Sequence, residues 1–250
     1  MKRLLTTLGL GKRGPGGRNP AIVFPVECDE GDKAILKHVL DAGLTMVSQE
    51  RLFTTLMACK HVCAAGLEGD FVECGVWRGG NAIVAADVFR RAGQARKSWL
   101  FDTFTGMTEP TDADVRRNGE GARETFFRKQ RGDHNEWCYA SIEDVQESVR
   151  RAGLTANVRF VKGDVMLTLA DPTALPTTIS VLRLDTDWYE STKLELEVLY
   201  PRLVRGGILI IDDYGHWQGA KKAVDEYFVD VPRPFLQYTD ATGRVGVKLC

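Results

Sequence analysis

A chain of 250 residues with 33 basic and 34 acidic side chains and 44% hydrophobic content can bury a sizeable core as one large domain or two small ones. Balanced charge excludes the basic face of a nucleic-acid binder, and the apolar runs are too short to span a bilayer, so neither nucleic acid nor membrane is an expected partner. Six cysteines, Cys28, Cys59, Cys63, Cys74, Cys138 and Cys250, lack Cys-x-x-Cys spacing, which reads as free thiols in a reducing, cytoplasmic compartment.

The apolar start of the chain is broken by Thr6 and Thr7 and followed by Lys12-Arg13 rather than a cleavage site, and Gly14 to Pro20 is rich in glycine and proline. Residues 1–27 are therefore expected to form a flexible segment ahead of a single domain, 28–250. Ile35, Leu36, Val39 and Leu40 make a helical stripe between Asp29 and Leu44, ended by Gly43. Ser48 can cap a second helix that stops near Gly66. Both lie in a helical addition over residues 28–68, ahead of the first strand.

An alternation then begins. Strands are expected at 71–74, 98–101, 158–161, 179–182 and 207–211. Helices are expected at 81–91, from Ser141 to Gly153, at 192–203 and at 219–228. Residues 105–135 are polar and weakly periodic and read as a lid-like loop with room for one short helix. Two extended runs flanking Asp240-Ala241-Thr242-Gly243 give a hairpin signal at the C-terminus. This order of elements resembles the class I methyltransferases, which implies an α/β, Rossmann-like fold: a seven-stranded, mostly parallel sheet with a terminal antiparallel hairpin, plus the N-terminal helices.

Chemistry concentrates where apolar runs end in charge. Asp185 and Asp187 follow one run, Asp212 and Asp213 another, and ligands in open α/β sheets bind outside such strand ends. Four convergent carboxylates repel unless a cation or protons neutralise them, and an oxygen-only donor set suits a hard divalent ion, Mg²⁺ first. The turn Glu73 to Gly80 has only Gly75 in register with G-x-G-x-x-G, so a pyrophosphate cradle is not expected. S-adenosylmethionine, which has no phosphate, fits better. Glu73 suits its methionine end, Gly75 allows close backbone passage, and Asp102 suits the ribose hydroxyls. Gly163, Asp164 and Ser141 are placed for the adenine.

The strings Thr45-Met46-Val47-Ser48-Gln49-Glu50-Arg51-Leu52, Phe71 to Gly80, Phe101 to Met107, Leu184 to Thr192 and Ile211-Asp212-Asp213-Tyr214-Gly215 resemble the sugar O-methyltransferases that finish macrocin, mycinamicin and novobiocin. The first forty residues and the loop 108–135 carry no match. The resemblance implies Mg²⁺ held by Asp185, Asp212 and Asp213, with Asp187 as general base. It adds Thr45, Met46, Cys74, Val76, Trp77 and Thr103 to the cofactor-binding residues. His134, a loop imidazole, is a rival base. Trp188, Tyr189 and His216 stand beside the acids as candidate substrate contacts. Ser191 and Thr192 read as caps of the helix that follows, leaving Asp187 free. The expected activity is S-adenosylmethionine- and Mg²⁺-dependent methylation of a sugar hydroxyl on a glycosylated natural product, by a homodimer or larger homo-oligomer. A catechol or phenol acceptor, and a non-catalytic nucleotide-binding module, are the alternatives.

Overall fold

The computed structural model describes residues 22–250, so most of the expected flexible segment lies outside the described residues. Two helices come first, Glu30–Asp41 (α1) and Gln49–Ala64 (α2). Asp29 and Asp32 form a reciprocal cap on α1, and Ser48 Oγ accepts the Arg51 amide at 3.2 Å on α2. The alternating part follows as Asp70–Cys74 (β1), Gly80–Arg91 (α3) and Ser98–Asp102 (β2). The loop beyond β2 is more structured than its polarity suggests. It holds Arg123–Lys129 (α4) and a small antiparallel pair, Gln130–Arg131 (β3) with His134–Asn135 (β4).

Ile142–Arg151 (α5), Val158–Lys162 (β5) and a short Val165–Thr168 (α6) precede Ile179–Leu184 (β6). Tyr189–Leu199 (α7), Leu203–Ile211 (β7), Gln218–Asp230 (α8), Gln237–Tyr238 (β8) and Arg244–Val247 (β9) complete the chain. α7 starts before the expected Thr192 and stops at Leu199, where the chain tightens into a 3-10 turn containing Pro201; proline has no N–H to continue the ladder. β7 therefore begins at Leu203, four residues earlier than expected.

The seven strands run in the order β5-β2-β1-β6-β7-β9-β8, with β9 antiparallel to β7. Alternate residues of each strand face opposite sides. Phe71, Val181 and Ile208 join a core built with α1, α2, α3 and α5, while Val72, Leu182 and Leu209 join one built with α6, α7 and α8. No helix among the described residues is long and apolar enough to cross a membrane, and all six cysteines are unpaired.

The register positions the site. Cys74 is level with both Phe101 and Leu184, and Leu184 is level with Ile211. The residues just beyond these are tied by Gly75 N to Phe101 O, Asp185 N to Cys74 O and Asp212 N to Leu184 O, each 2.9 Å. Gly75, Asp102, Asp185 and Asp212 therefore line one edge. The strand order reverses between β1 and β6, which is where an open α/β sheet offers a crevice.

Candidate active site

A cleft opens at this reversal, walled by Met46, Gly75, Trp77, Asp102, Thr103, Gly163, Asp164, Asp185 and Asp187. Gly75 has φ 84°, and a Cβ there would stand 2.1 Å from the Asp185 carbonyl oxygen. Its lack of a side chain thus lets β1 and β6 continue side by side; ligand approach is a second consequence. Asp102 lies at the cleft wall, but three backbone amides already bind it: Val76 and Trp77 on Oδ2 at 2.6 and 3.2 Å, and Phe104 on Oδ1 at 2.7 Å. Burial raises its carboxyl above the ordinary range while those amides pull it down. The turn after β1 is thereby held by the acid after β2.

Glu73 is sealed beneath the cleft, 1% exposed. Arg183 donates to its Oε1 at 3.1 Å, and its Oε2 is buried without a partner. Burial pushes the Glu73 carboxyl up to about 8 against the pull of Arg183. Cys74 and Val76 are buried in the core. Thr45 faces a separate groove beside α2. Ser141 caps α5, accepting the Asp144 amide at 3.1 Å, and is not among the cleft walls.

Arg183 is the one charge inside the otherwise apolar run of β6, and it is 1% exposed. It donates to Asp185 Oδ2 at 2.7 Å and to Asp212 Oδ1 at 2.5 Å as well as to Glu73. Arg51, from the first turn of α2, takes the other oxygen of Asp212 and also pairs with Asp240 of the C-terminal hairpin at 2.9 Å. Asp212, expected beside a metal, is thus held on both oxygens by guanidinium groups. The carboxylates that face one another are Asp185, Asp187 and Asp213, each offering an oxygen within 4.8 Å of the others. The structure therefore brings the expected base into contact with two expected ligands and turns Asp212 toward the arginines.

Asp187 has φ 71°, a left-handed backbone that aspartate and asparagine tolerate better than other side chains. Burial pushes its carboxyl up to about 7, partly offset by Asp213 and Trp217. Asp213 is raised well above the usual range by burial and by Asp187 and Asp212, and its Oδ2 is buried without a partner. Burial also raises Asp185 despite Arg183. Carboxyls packed this way hold protons until a cation replaces them.

Several expected contacts fall elsewhere. His134 sits on β4, stacks on Tyr139 with ring centroids 4.7 Å apart, bonds Asp133, and is not among the cleft walls. The β3–β4 hairpin thus holds the rival base outside the cleft walls. Tyr189 also stands outside the cleft walls. Trp188 packs against Trp137 and Trp217, so the next side chain turns outward, where the Tyr189 hydroxyl donates to Glu226 at 2.6 Å. Trp188 itself is 3% exposed and donates to the Thr108 carbonyl at 3.1 Å, as a wall between the acids and the loop. His216 lies half-buried against Trp217, its imidazole pushed down by burial and by Arg116, Arg51 and Arg117. Ser191 and Thr192 are interior to α7, whose cap residue is Trp188 with no side-chain bond of its own.

Sequence reading missed Glu195 on α7. It is fully buried, accepts from Thr186 Oγ1 at 2.9 Å, and is pushed up to about 8 by burial. The folded protein keeps this proton up to about pH 8, whereas the unfolded chain loses it near 4.5. Between those values the native state binds the extra proton, so this group's contribution to stability falls as pH rises. Glu195→Gln is expected to remove up to about 4 kcal/mol of the loss between pH 5 and pH 9. Urea unfolding at both pH values checks this; parallel pH dependence in the two proteins would contradict it.

The macrocin-O-methyltransferase (TylF) family matches residues 21–235. A tetracenomycin 4'-O-methyltransferase of Streptomyces olivaceus, acting on a dimethoxy-rhamnosyl compound, is 36% identical over 207 residues, covering 82% of this chain and 75% of that one. The demethyldecarbamoylnovobiocin O-methyltransferase of Streptomyces niveus is 37% identical over 186 residues, 73% of this chain and 67% of its own. The solved O-methyltransferase NovP superposes with a TM-score of 0.69 at 32% identity over 82% of both chains. The calicheamicin methyltransferase CalS11, at 18% identity and a TM-score of 0.60, shares the fold.

Proposed function

The chain belongs to the macrocin-O-methyltransferase family and is an O-methyltransferase, and we propose that it transfers a methyl group from S-adenosylmethionine to a sugar hydroxyl of a glycosylated natural product. The observation that carries this reading is the meeting of Asp185, Asp187 and Asp213 at a cleft whose other wall is Gly75, Asp102, Gly163 and Asp164. A non-catalytic module is set aside by the family itself, and a sugar acceptor is favoured over a phenol because the Streptomyces olivaceus relative is named for a rhamnosyl compound.

The residues fit a methyl donor of this kind. Glu73 offers a buried, unpartnered Oε2 beneath the end of the cleft, and the turn after β1 has no phosphate-binding geometry. They also fit a hard divalent cation, Mg²⁺ first. Fully ionised, the four aspartates would exceed the two guanidinium groups by two negative charges, an excess that protons offset here and that a divalent cation would balance, and Asp213 Oδ2 lacks a partner. Asp185 and Asp213 would hold the ion, with Asp212 joining them where Arg51, shared with Asp240, releases its oxygen. Such an ion supplies Lewis acidity to a hydroxyl whose proton an ordinary carboxylate cannot remove.

The protein's own part is orientation and proton transfer. Asp187, fixed by its left-handed turn, takes the hydroxyl proton on a carboxylate oxygen as the methyl bond forms. Trp137, Trp188 and Trp217 pack together with Met107 beside the acids and exclude water from that side. Arg183 holds Asp185 and Asp212 at fixed separation from beneath. We also infer a homodimer or larger assembly, supported by an apolar groove along α2 lined by Leu40, Val47, Phe53, Met57, Ile208 and Val245, and a cytoplasmic setting, consistent with the unpaired cysteines.

Incubation with methyl-labelled S-adenosylmethionine and a panel of glycosylated macrolides, aminocoumarins and aromatic polyketides tests the reading. Label on a sugar oxygen is expected. Label on a phenolic oxygen, or none on any glycoside that binds, would contradict it.

A further inference from the structure

The two segments that carry the acids each run into a helix: Asp185 and Asp187 into α7, Asp212 and Asp213 into α8. Neither helix has a side-chain cap of its own at its start. Asp114, from the loop between β2 and α4, is fully buried where these two helix starts meet. Its Oδ1 accepts the amide of Tyr189, the first residue of α7, at 2.8 Å. A Cβ on Gly219, in the first turn of α8, would stand 2.4 Å from that same oxygen, so the helix approaches the carboxylate as closely as only glycine permits. Its Oδ2 accepts from Thr111 N and Oγ1 at 2.7 and 2.8 Å. Two further bonds fasten the loop across the same seam, Gln218 N to Val115 O at 2.9 Å and Trp188 Nε1 to Thr108 O at 3.1 Å.

We propose that Asp114 is a positioning residue for methyl transfer: it sets the separation between the Asp185–Asp187 turn and Asp213 by joining the starts of α7 and α8 through the loop between β2 and α4. A carboxylate at a helix start both satisfies an orphan amide and complements the helix dipole. Here that local bond decides where Asp187 and Asp213 stand relative to one another. Asp114 is not itself among the cleft walls, and its side-chain bonds go to Thr111 and Tyr189, so its effect is expected at the acid cluster. The inference rests on the proposed cation site.

Three variants, Asp114→Ala, Asp114→Asn and Gly219→Ala, test it. Mn²⁺ binding is read by electron paramagnetic resonance, S-adenosylmethionine binding by calorimetry, and unfolding by urea. Asp114→Ala should weaken Mn²⁺ about 10–100-fold, the range for losing a residue that orients a metal's ligands, with S-adenosylmethionine affinity unchanged. Asp114→Asn keeps an oxygen for the Tyr189 amide but turns an NH2 group toward the Thr111 amide, so it should restore only part of the Mn²⁺ affinity. Gly219→Ala should reproduce the alanine variant by displacing the carboxylate. Wild-type Mn²⁺ affinity in Asp114→Ala, no recovery in Asp114→Asn, or parallel loss of both ligands would overturn the role of Asp114 alone. Failure of the unsubstituted protein to bind Mn²⁺ would overturn the cation site and this inference with it.

Discussion

Asp187→Asn is expected to lower kcat by about 10²–10⁴-fold, the usual contribution of a general base, while S-adenosylmethionine and Mn²⁺ affinities change little. The choice of asparagine matters. Asp187 has φ 71°, a backbone region that asparagine adopts readily and alanine does not. An alanine variant would mix loss of the base with movement of the turn. Asparagine retains size, turn and one oxygen, and removes the carboxylate charge and with it the capacity to accept a proton. The acid is half-buried beside Asp213 and Trp217, so burial raises its affinity for a proton. Single-turnover methyl transfer with saturating donor gives the comparison. Unchanged turnover would remove Asp187 from the chemistry and return the question to Asp213, its neighbour.

Arg183→Met is expected to be the most destabilising single change, by about 3–5 kcal/mol, the range for removing one partner from a buried ionic network. One guanidinium, 1% exposed, holds Glu73, Asp185 and Asp212. Methionine fills much of the volume but leaves Glu73 and Asp185 without a counter-charge and Asp212 with Arg51 alone. Arg183→Lys should recover only part of the loss, because an ammonium is a point charge and cannot reach three carboxylates in one plane. Urea unfolding near neutral pH measures the effect. Stability equal to the unsubstituted protein would mean that the acids tolerate one another as protonated neighbours, and that Arg183 is dispensable to the network.

The parts legible in the sequence are those written locally. Apolar runs closed by Asp102, Asp185 and Asp212-Asp213 give strands and their ends, and sheet register then makes those ends coplanar without further information. Glycine at position 75 marks the turn after β1. What sequence leaves out is which charge answers which. Arg183 was visible as a lone charge within an apolar strand, a pattern that asks for a buried partner, but its three partners come from three different strand ends. Arg51 reaches Asp212 across 161 residues of chain. Asp114 caps α7 from 75 residues away, which is why local rules favoured Ser191 and Thr192 as caps and started the helix too late. Tyr189 and His134 show the complementary limit: adjacency to acids, or a place in a polar loop, does not fix the direction in which a side chain points.

The proposed chemistry requires a cation among these carboxylates. Protein stripped with EDTA, supplied with labelled S-adenosylmethionine and an accepted glycoside, and then titrated with Mg²⁺ tests it most directly. The expected result is no methyl transfer in the stripped protein and recovery along a single saturation curve, lost in Asp185→Asn. Full transfer in excess chelator would contradict it.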